Sequence, residues 1–220
     1  MSISPKQALL KEYALVAQAL AAPARLVLLE QLAQTEAAVE SLARKTGLTV
    51  ANASQHLQQL RRAGLVTSRR AGKAVIYRLR DNRSIALMGL LSEVAEANLA
   101  QVTDILDGLC GGAPVPEPIT RAALAERLSM GAVTVLDMRP EDEFAAGHIS
   151  GARQVSLADL DALMPTLDPE TEIVAYCRGP CCIYAHQAVA TLRHHGLNAR
   201  RLEGGLPDWR EDGREVATLA

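Results

Sequence analysis

The sequence of 220 residues predicts a two-domain protein in which a mainly α domain precedes an α/β domain. Its length exceeds the ~100–150 residues of a typical single domain. The charge also divides near the middle: residues 1–110 hold 13 Lys and Arg against 9 Asp and Glu, whereas residues 111–220 hold 10 against 16. A Gly- and Pro-rich linker is predicted at residues 110–119. The two domains are therefore expected at residues 1–109 and 120–220.

Three short helices are predicted in the basic part of the first domain. The first runs from Ala24 to Leu32, and the second runs from Val39 to Lys45 and ends at Gly47, a typical C-terminal cap. Thr49 is a typical N-cap for the third helix, which extends to about Ala63. Two helices separated by such a tight turn are typical of a helix-turn-helix.

A β-hairpin is predicted directly after these helices. Its strands are Leu65–Ser68 and Val75–Leu79, and the segment between them carries the cations Arg69, Arg70 and Lys73. Cations at a hairpin tip can bind phosphates beside a DNA groove. Residues 41–83 hold ten basic residues and one acidic residue, which favours a nucleic-acid surface over an ordinary solvated face.

The third helix has an apolar side and a polar side. Ala53, Leu57 and Leu60 form the apolar side, and the polar side offers Asn52, Ser54, Gln55, Gln58 and Gln59. Amides and hydroxyls near a helix start can bind the base edges of a major groove. The predicted partner is double-stranded operator DNA. The predicted DNA-binding residues are Asn52, Ser54, Gln55, His56, Gln58, Arg61, Arg69, Arg70 and Lys73.

Three stretches of this domain resemble the ArsR/SmtB family of small dimeric bacterial repressors. They are Ala19–Leu26, Leu57–Val66 and Gly72–Leu79, and the resemblance covers roughly residues 7–100. It implies a winged helix-turn-helix fold, a homodimer and a repressor. A last helix predicted from Arg83 to Leu109 carries an apolar stripe that fits a dimer interface.

Metal sensing of the kind found in many family members is not expected. Those proteins use a Cys-x-Cys before the recognition helix, or Asp and His ligands on the last helix. Here Gln34–Leu42 contains no Cys or His, and Arg83–Leu109 contains no His. Zinc and related ions need several converging N or S ligands. The sequence therefore predicts no metal site and no cofactor.

A cysteine-rich loop marks the second domain. The apolar run Ile173–Tyr176 ends at Cys177, and a short loop leads into a helix predicted from about Ile183 to His195. The positive end of a helix and the N–H groups of such a loop stabilise a thiolate. Cys177 is therefore predicted to be a nucleophile, with a buried strand-end cysteine as the alternative.

Four motifs in this domain resemble rhodanese-like sulfurtransferases. They are Val133–Arg139 with its Asp-x-Arg ending, Glu143–Ala152 with Gly-His-Ile-x-Gly-Ala, the Cys177 loop, and Leu202–Gly205 followed by Trp209. The resemblance implies a central parallel sheet flanked by helices, and a persulfide on Cys177. Related phosphatases carry an Arg at the position of Ile183, so phosphoryl transfer is disfavoured.

Several neighbours of Cys177 are assigned roles in sulfur chemistry. Arg178 is expected to bind an anionic donor. A persulfide on Cys177 can be attacked by a nearby thiolate. The candidates are Cys181 and Cys182, of which Cys181 is favoured because the loop is expected to be exposed there. An exposed position is expected for His186. Asp137 and Arg139 are expected to fix loops by hydrogen bonds, and Gly204–Gly205 are expected to shape the turn beside the loop.

The sequence thus predicts a DNA-binding transcriptional regulator, a repressor and homodimer, that responds to sulfane sulfur through Cys177. One alternative is an active thiosulfate or polysulfide sulfurtransferase whose DNA-binding domain regulates its own gene. Another is a thiol-based arsenical or metal sensor that uses Cys177, Cys181 and Cys182. A cytoplasmic location is expected, because no run approaches ~18 apolar residues and no signal-peptide pattern follows Met1.

Overall fold

A computed structural model describes residues 4–109, 116–179 and 182–219. The backbone forms two compact units, Met1–Met88 and Gly89–Ala220. Their division falls inside a helix. Residues 89–109, which the sequence analysis assigned to the first domain, therefore group with the second unit.

The first unit contains four helices and a small antiparallel sheet. The helices are α1 (Pro5–Leu20), α2 (Pro23–Gln34), α3 (Val39–Thr46) and α4 (Val50–Arg62). The sheet, in the order β1-β3-β2, contains β1 (Ala37–Ala38), β2 (Val66–Ala71) and β3 (Ala74–Leu79). Apolar side chains from α2, α3 and α4 meet in one core, which includes the fully buried Leu28, Leu29, Leu42, Leu57 and Leu60.

The turn between α3 and α4 has the predicted caps. Gly47 follows α3 with φ of +69°, a left-handed conformation that glycine adopts without strain. The Thr49 hydroxyl accepts a hydrogen bond of 3.2 Å from the Asn52 N–H and so caps the start of α4. The predicted winged helix-turn-helix is confirmed in this unit.

The hairpin is longer than predicted. Strands β2 and β3 pair from Val66 opposite Leu79 to Ala71 opposite Ala74, so the turn contains only Gly72 and Lys73. Gly72 has φ of +60°, as two-residue hairpin turns require. Placing Arg69 and Arg70 at the tip was therefore wrong: both are strand residues, because the ladder extends to Ala71.

Two helices replace the single one predicted from Arg83 to Leu109. They are α5 (Arg83–Asn98) and α6 (Ala100–Leu109), and they meet at an angle of 95°. The Asn98 side chain donates to the Val94 carbonyl at 2.8 Å. Short polar side chains that bond local carbonyls favour helix ends over helix interiors. The apolar stripe is consequently divided between α5 and α6.

The second unit is built around a parallel sheet, as predicted, and its strand order is β6-β4-β7-β8. Its strands are β4 (Val133–Asp137), β6 (Arg153–Gln154), β7 (Glu172–Tyr176) and β8 (Ala199–Arg201); β5 (His148–Ile149) and β9 (Val216–Ala217) form a separate antiparallel pair. The helices are α7 (Arg121–Ser129), α8 (Glu141–Ala146), α9 (Leu160–Leu163), α10 (Tyr184–His194) and α11 (Leu206–Glu211), with a 3-10 turn at Met164–Thr166.

The sheet has a core on each face. Side chains of α7 and α11 pack with Val135, Val174 and Tyr176 on one face. Side chains of α10 pack with Leu136, Ala175 and Cys177 on the other. Alternate residues of a strand point to opposite faces, so β7 contributes to both cores.

Within the described segments, no single helix has the length and apolarity to cross a membrane. Only the sharply bent pairs α1 with α2 and α5 with α6 meet those two criteria, each pair taken together.

Candidate functional site

Cys177 is the first residue after β7 and lies inside the protein. Only 2% of its surface is exposed, and it packs in the core on the α10 face of the sheet. The preceding Tyr176 points to the opposite face. The predicted position at a strand end before a helix is therefore observed, although the thiol is also buried.

Cys177 is joined to Cys182 by a disulfide. The two Cα atoms are 6.2 Å apart, within the ~4.4–6.8 Å that disulfides span. Cys182 lies just before α10 and is 7% exposed. The partner of Cys177 in this structure is thus Cys182. The preferred candidate, Cys181, lies outside the described residues.

Arg178 forms a two-point ion pair with Glu143 of α8. Its Nε donates to Oε2 at 3.0 Å and its Nη2 donates to Oε1 at 2.8 Å. The side chains are 15% and 3% exposed, respectively. Glu143 therefore offsets the charge that was expected to attract an anionic donor, and the pair ties the cysteine loop to α8.

A buried polar network lies below the loop. The Tyr176 hydroxyl donates to Asp137 Oδ2 at 2.5 Å and accepts from the Ile149 N–H at 3.0 Å. Arg139 Nη2 donates to Asp137 Oδ2 at 2.6 Å and to the Gly147 carbonyl at 2.7 Å. Burial, followed by the Asp137 carboxylate, raises the pKa of Tyr176 well above its usual range, so the hydroxyl remains a donor. The loop-fixing role predicted for Asp137 and Arg139 is confirmed.

The turn at Gly204 and Gly205 packs against the cysteine loop. A Cβ on Gly205 would lie 2.6 Å from the Gly179 N atom and 2.7 Å from the Arg178 carbonyl carbon. Gly204 has φ of +76°. Because backbone atoms occupy the space where a side chain would lie, a larger residue at position 205 must displace the loop.

His186 is buried, contrary to the exposed position expected for it. It is 3% exposed and lies near the start of α10. Its Nδ1 is 3.4 Å from the Cys182 carbonyl, which can only accept, so Nδ1 carries the proton. Its buried Nε2 has no hydrogen-bond partner among the described residues. Burial, and secondarily the charge of Arg201, lowers the pKa of His186 to about 4.

Some residues on the polar side of α4 are exposed to solvent, and others are half-buried in the protein. Asn52, Gln55, Gln58 and Arg61 are exposed, whereas Ser54 and His56 are half-buried. Gln59 accepts a hydrogen bond from Arg25 of α2. Arg61 Nη1 donates to the Ser68 hydroxyl of β2 at 3.2 Å and so links α4 to the hairpin. Gln59 and Arg61, near the C-terminal end of this polar side, therefore already form hydrogen bonds within the protein.

The hairpin presents its three cations to solvent. Arg69, Arg70 and Lys73 are all exposed, and Arg69 forms an ion pair with Glu36, the residue before β1. An exposed pair of this kind contributes little stability. A DNA phosphate could therefore replace the Glu36 carboxylate at low cost.

Comparisons with known proteins assign both halves of the chain. Residues 22–68 match the model of the bacterial regulatory protein, arsR family, and residues 120–212 match the model of the rhodanese-like domain. The HTH-type transcriptional regulator Rv0324 of Mycobacterium tuberculosis is 41% identical over 212 residues, which cover 96% of this chain and 92% of that protein.

Two solved structures resemble one half each. A homodimeric winged helix-turn-helix DNA-binding domain from Mycobacterium bovis is 40% identical, covers 45% of this chain and 92% of that chain, and has a TM-score of 0.41. A rhodanese-related protein from Thermoplasma volcanium is 28% identical, covers 46% of this chain and 98% of that chain, and has a TM-score of 0.42.

Proposed function

We propose that this chain, which belongs to the ArsR family of transcriptional regulators and carries a rhodanese-like domain, is a homodimeric repressor whose operator affinity changes when Cys177 accepts sulfane sulfur. The bridge between Cys177 and Cys182 is the observation that carries this proposal. The bridge supports a role for Cys182 as an internal thiol that converts a transient persulfide on Cys177 into a lasting disulfide in the loop.

The first unit supports the DNA-binding part. Its helix α4 presents amides and a guanidinium to solvent, and the hairpin beside it presents three cations. Direct readout of bases needs the amides and the guanidinium, and binding to phosphates needs the cations. The caps at Gly47 and Thr49 separate α3 from α4 by a tight turn, as in a helix-turn-helix.

Exposed apolar side chains support the dimer. Large apolar side chains lie exposed on α1 and on α5, namely Leu9, Leu10, Tyr13, Leu15, Leu90, Leu91 and Val94. Such residues on neighbouring turns of a helix are typical of a surface that another chain covers. The related domain from Mycobacterium bovis is described as homodimeric.

The proposed chemistry has two steps. The Cys177 thiolate attacks a sulfur of a polysulfide, an S–S bond forms, and the shortened polysulfide leaves with the electron pair. The Cys182 thiolate then attacks the Cys177 Sγ of the persulfide, and hydrosulfide leaves. The thiol pair is thereby oxidised by two electrons, and the transferred sulfur is reduced to hydrosulfide.

The helix after the loop offers a route to the rest of the chain. Cys182 lies two residues before the first residue of α10, and α10 packs against α6 within the second unit. Helix α6 follows α5, one of the two helices proposed to form the dimer interface. A coupling of about 1–3 kcal/mol between the loop and the DNA-binding surface would suffice for regulation.

Binding to DNA with and without polysulfide tests the proposal. The probe is a duplex that the reduced wild-type protein selects from a random library, here called the selected duplex. We expect treatment with inorganic polysulfide to change the Kd at least about tenfold, which equals about 1.4 kcal/mol of coupling. Cys177→Ser should abolish the change and keep the affinity of the reduced protein, whereas Cys182→Ser should accumulate the persulfide in mass spectra. Cys110→Ser, which alters a cysteine outside the loop, is the control.

The second candidate is an active sulfurtransferase, which the match of residues 120–212 to the rhodanese-like domain favours. Steady turnover with cyanide as acceptor, together with an unchanged Kd for the selected duplex, would exclude the sensor and leave the enzyme. A thiol-based arsenical sensor would instead change the Kd with arsenite and not with polysulfide.

A further inference from the structure

We propose that Arg25 is a positioning residue for DNA recognition, which holds α4 in a fixed orientation against the C-terminal end of α1. The proposal rests on the proposed function, because it assumes that α4 reads DNA. It goes further by assigning the orientation of α4 to a side chain that lies on neither the predicted DNA-binding face nor the hairpin.

The guanidinium of Arg25 binds three acceptors from two other helices. Its Nε donates to the Ala19 carbonyl at 2.6 Å, and its Nη2 donates to the Gln18 carbonyl at 2.7 Å. Its Nη1 donates to the side-chain oxygen of Gln59. A guanidinium is planar and rigid, so these three bonds relate the positions of α1, α2 and α4 to one another.

Two carbonyls at the end of α1 accept these bonds from Arg25. The last four carbonyls of a helix have no partner inside the helix. Within the described helix α1, the last turn has no basic residue of its own. The Ala21 N–H already donates to the Gln18 carbonyl at 3.3 Å. Arg25 therefore adds a second donor there, supplies a donor to the Ala19 carbonyl, and places a positive charge at the negative end of the helix dipole. Arg25 therefore has a fixed anchor on α1.

Gln59 connects this anchor to the face that is proposed to read DNA. Asn52, Gln55 and Gln59 follow a spacing of three and four residues, which places them along one face of α4. Asn52 and Gln55 are exposed, whereas Gln59 is half-buried and accepts the bond from Arg25. Holding Gln59 therefore fixes the rotation of Asn52 and Gln55 about the helix axis.

Packing alone constrains this rotation less strictly. The buried side of α4 consists of Ala53, Leu57 and Leu60. Apolar contacts of this kind are non-directional, whereas a bond to a guanidinium has a defined direction. Contacts with base edges require side chains within about 0.5 Å and 10–20° of their productive geometry. Loss of Arg25 should thus affect the reading of bases more than the binding to phosphates.

Arg25 also has a second role, because the helix whose end it binds, α1, has an exposed apolar face. Leu9, Leu10 and Tyr13 on α1 belong to the surface proposed to form the dimer. A dimer that reads two half-sites must hold its recognition helices about 34 Å apart. Because Arg25 joins the end of α1 to α4, it relates the dimer interface to that spacing.

The test is a double-mutant cycle between Arg25 and Gln59 in the full-length protein. The Kd is measured for the selected duplex and for a scrambled duplex of the same composition. We expect Arg25→Ala to weaken binding to the selected duplex about 10- to 100-fold, with the Kd for the scrambled duplex changed less than about threefold. Gln59→Ala should act in the same direction, and the double variant should be no weaker than Arg25→Ala alone.

Arg25→Lys separates charge from geometry. Lysine keeps the positive charge at the end of α1 but loses the planar fork, so it should restore thermal stability more than it restores the ratio of the two Kd values. If Arg25→Ala fails to fold, Arg25→Lys and Gln59→Ala still measure that ratio.

Two results would overturn the proposal. The first is an unchanged ratio between the Kd values for the scrambled and the selected duplex in Arg25→Ala or Arg25→Lys. The second is an effect of Gln59→Ala that adds fully to that of Arg25→Ala, which would mean that Gln59 contacts DNA itself. A wild-type protein that selects no duplex would instead refute DNA recognition by α4, and this proposal with it.

Discussion

Arg178 and Glu143 are 35 residues apart in the chain, yet they form a two-point ion pair at the base of the cysteine loop. Glu143 is almost fully buried and Arg178 is mostly buried. Each charge therefore depends on the other, because a buried charge without a partner is strongly disfavoured. The loop after Cys177 is held by this pair as well as by the Gly205 turn.

Breaking the pair on one side should destabilise the second unit. Glu143→Gln removes the carboxylate that pairs with the mostly buried Arg178 cation. We expect a loss of about 2 kcal/mol in the free energy of unfolding. Glu143→Gln combined with Arg178→Met, which removes both charges, should recover most of that loss. Urea denaturation of the wild type, of Glu143→Gln, of Arg178→Met and of the double variant measures the coupling, and purely additive losses would contradict it.

Stability should also depend on His186 below neutral pH. The folded state holds the pKa of His186 at about 4, below the ~6.5 of the unfolded chain. The unfolded chain therefore takes up a proton that the folded protein does not. The resulting contribution is fully present above pH ~6.5 and is lost as the pH falls toward 4.

Urea denaturation between pH 7 and pH 4 checks this effect. His186→Gln removes the titrating group and keeps a donor for the Cys182 carbonyl, so its stability should fall less steeply than that of the wild type. His195→Gln changes an exposed histidine at the other end of α10 and serves as the control. Equal pH dependence in wild type and His186→Gln would rule the effect out.

The hairpin cations should contribute affinity without sequence preference. Arg70→Ala and Lys73→Ala should each weaken binding to selected and scrambled duplexes alike, and each should reduce the salt slope by about 1. Glu36→Gln should strengthen binding to both duplexes, because it releases Arg69 from its ion pair. Titrations at several salt concentrations measure these slopes. A change confined to the selected duplex would assign the cations to base contacts instead.

Features that depend on near neighbours in the chain could be predicted from the sequence. The caps at Gly47 and Thr49 follow from single residues next to a helical pattern. The start of α1 carries a signal of the same kind, because Ser4 and Gln7 form a capping box and Pro5 occupies the first position of the helix.

Features that depend on distant pairing could not be predicted. Strand β1 is two residues long and exists because it pairs with Tyr77 and Ile76 of β3. Arg178 and Glu143 carry no local pattern that links them. The break at Leu99 lacks Gly and Pro, so the sequence carries no strong signal for it, whereas the structure shows a bend of 95° and a bond from Asn98 to the Val94 carbonyl. The burial of His186 depends on the elements that pack around α10, among them β8 and α6, of which α6 is distant in the sequence.

Tyr176 is the last residue of β7 and Cys177 is the first residue after it, and their side chains lie on opposite sides of the sheet. The Tyr176 side is held by hydrogen bonds to Asp137 and Ile149 that involve no cysteine. The Cys177 side contains α10 and the only covalent link that can be made or broken within the described loop. If the proposed sulfur chemistry occurs, its effect should therefore fall on the α10 side of the sheet, whereas the hydrogen bonds of Tyr176 on the other side should stay in place.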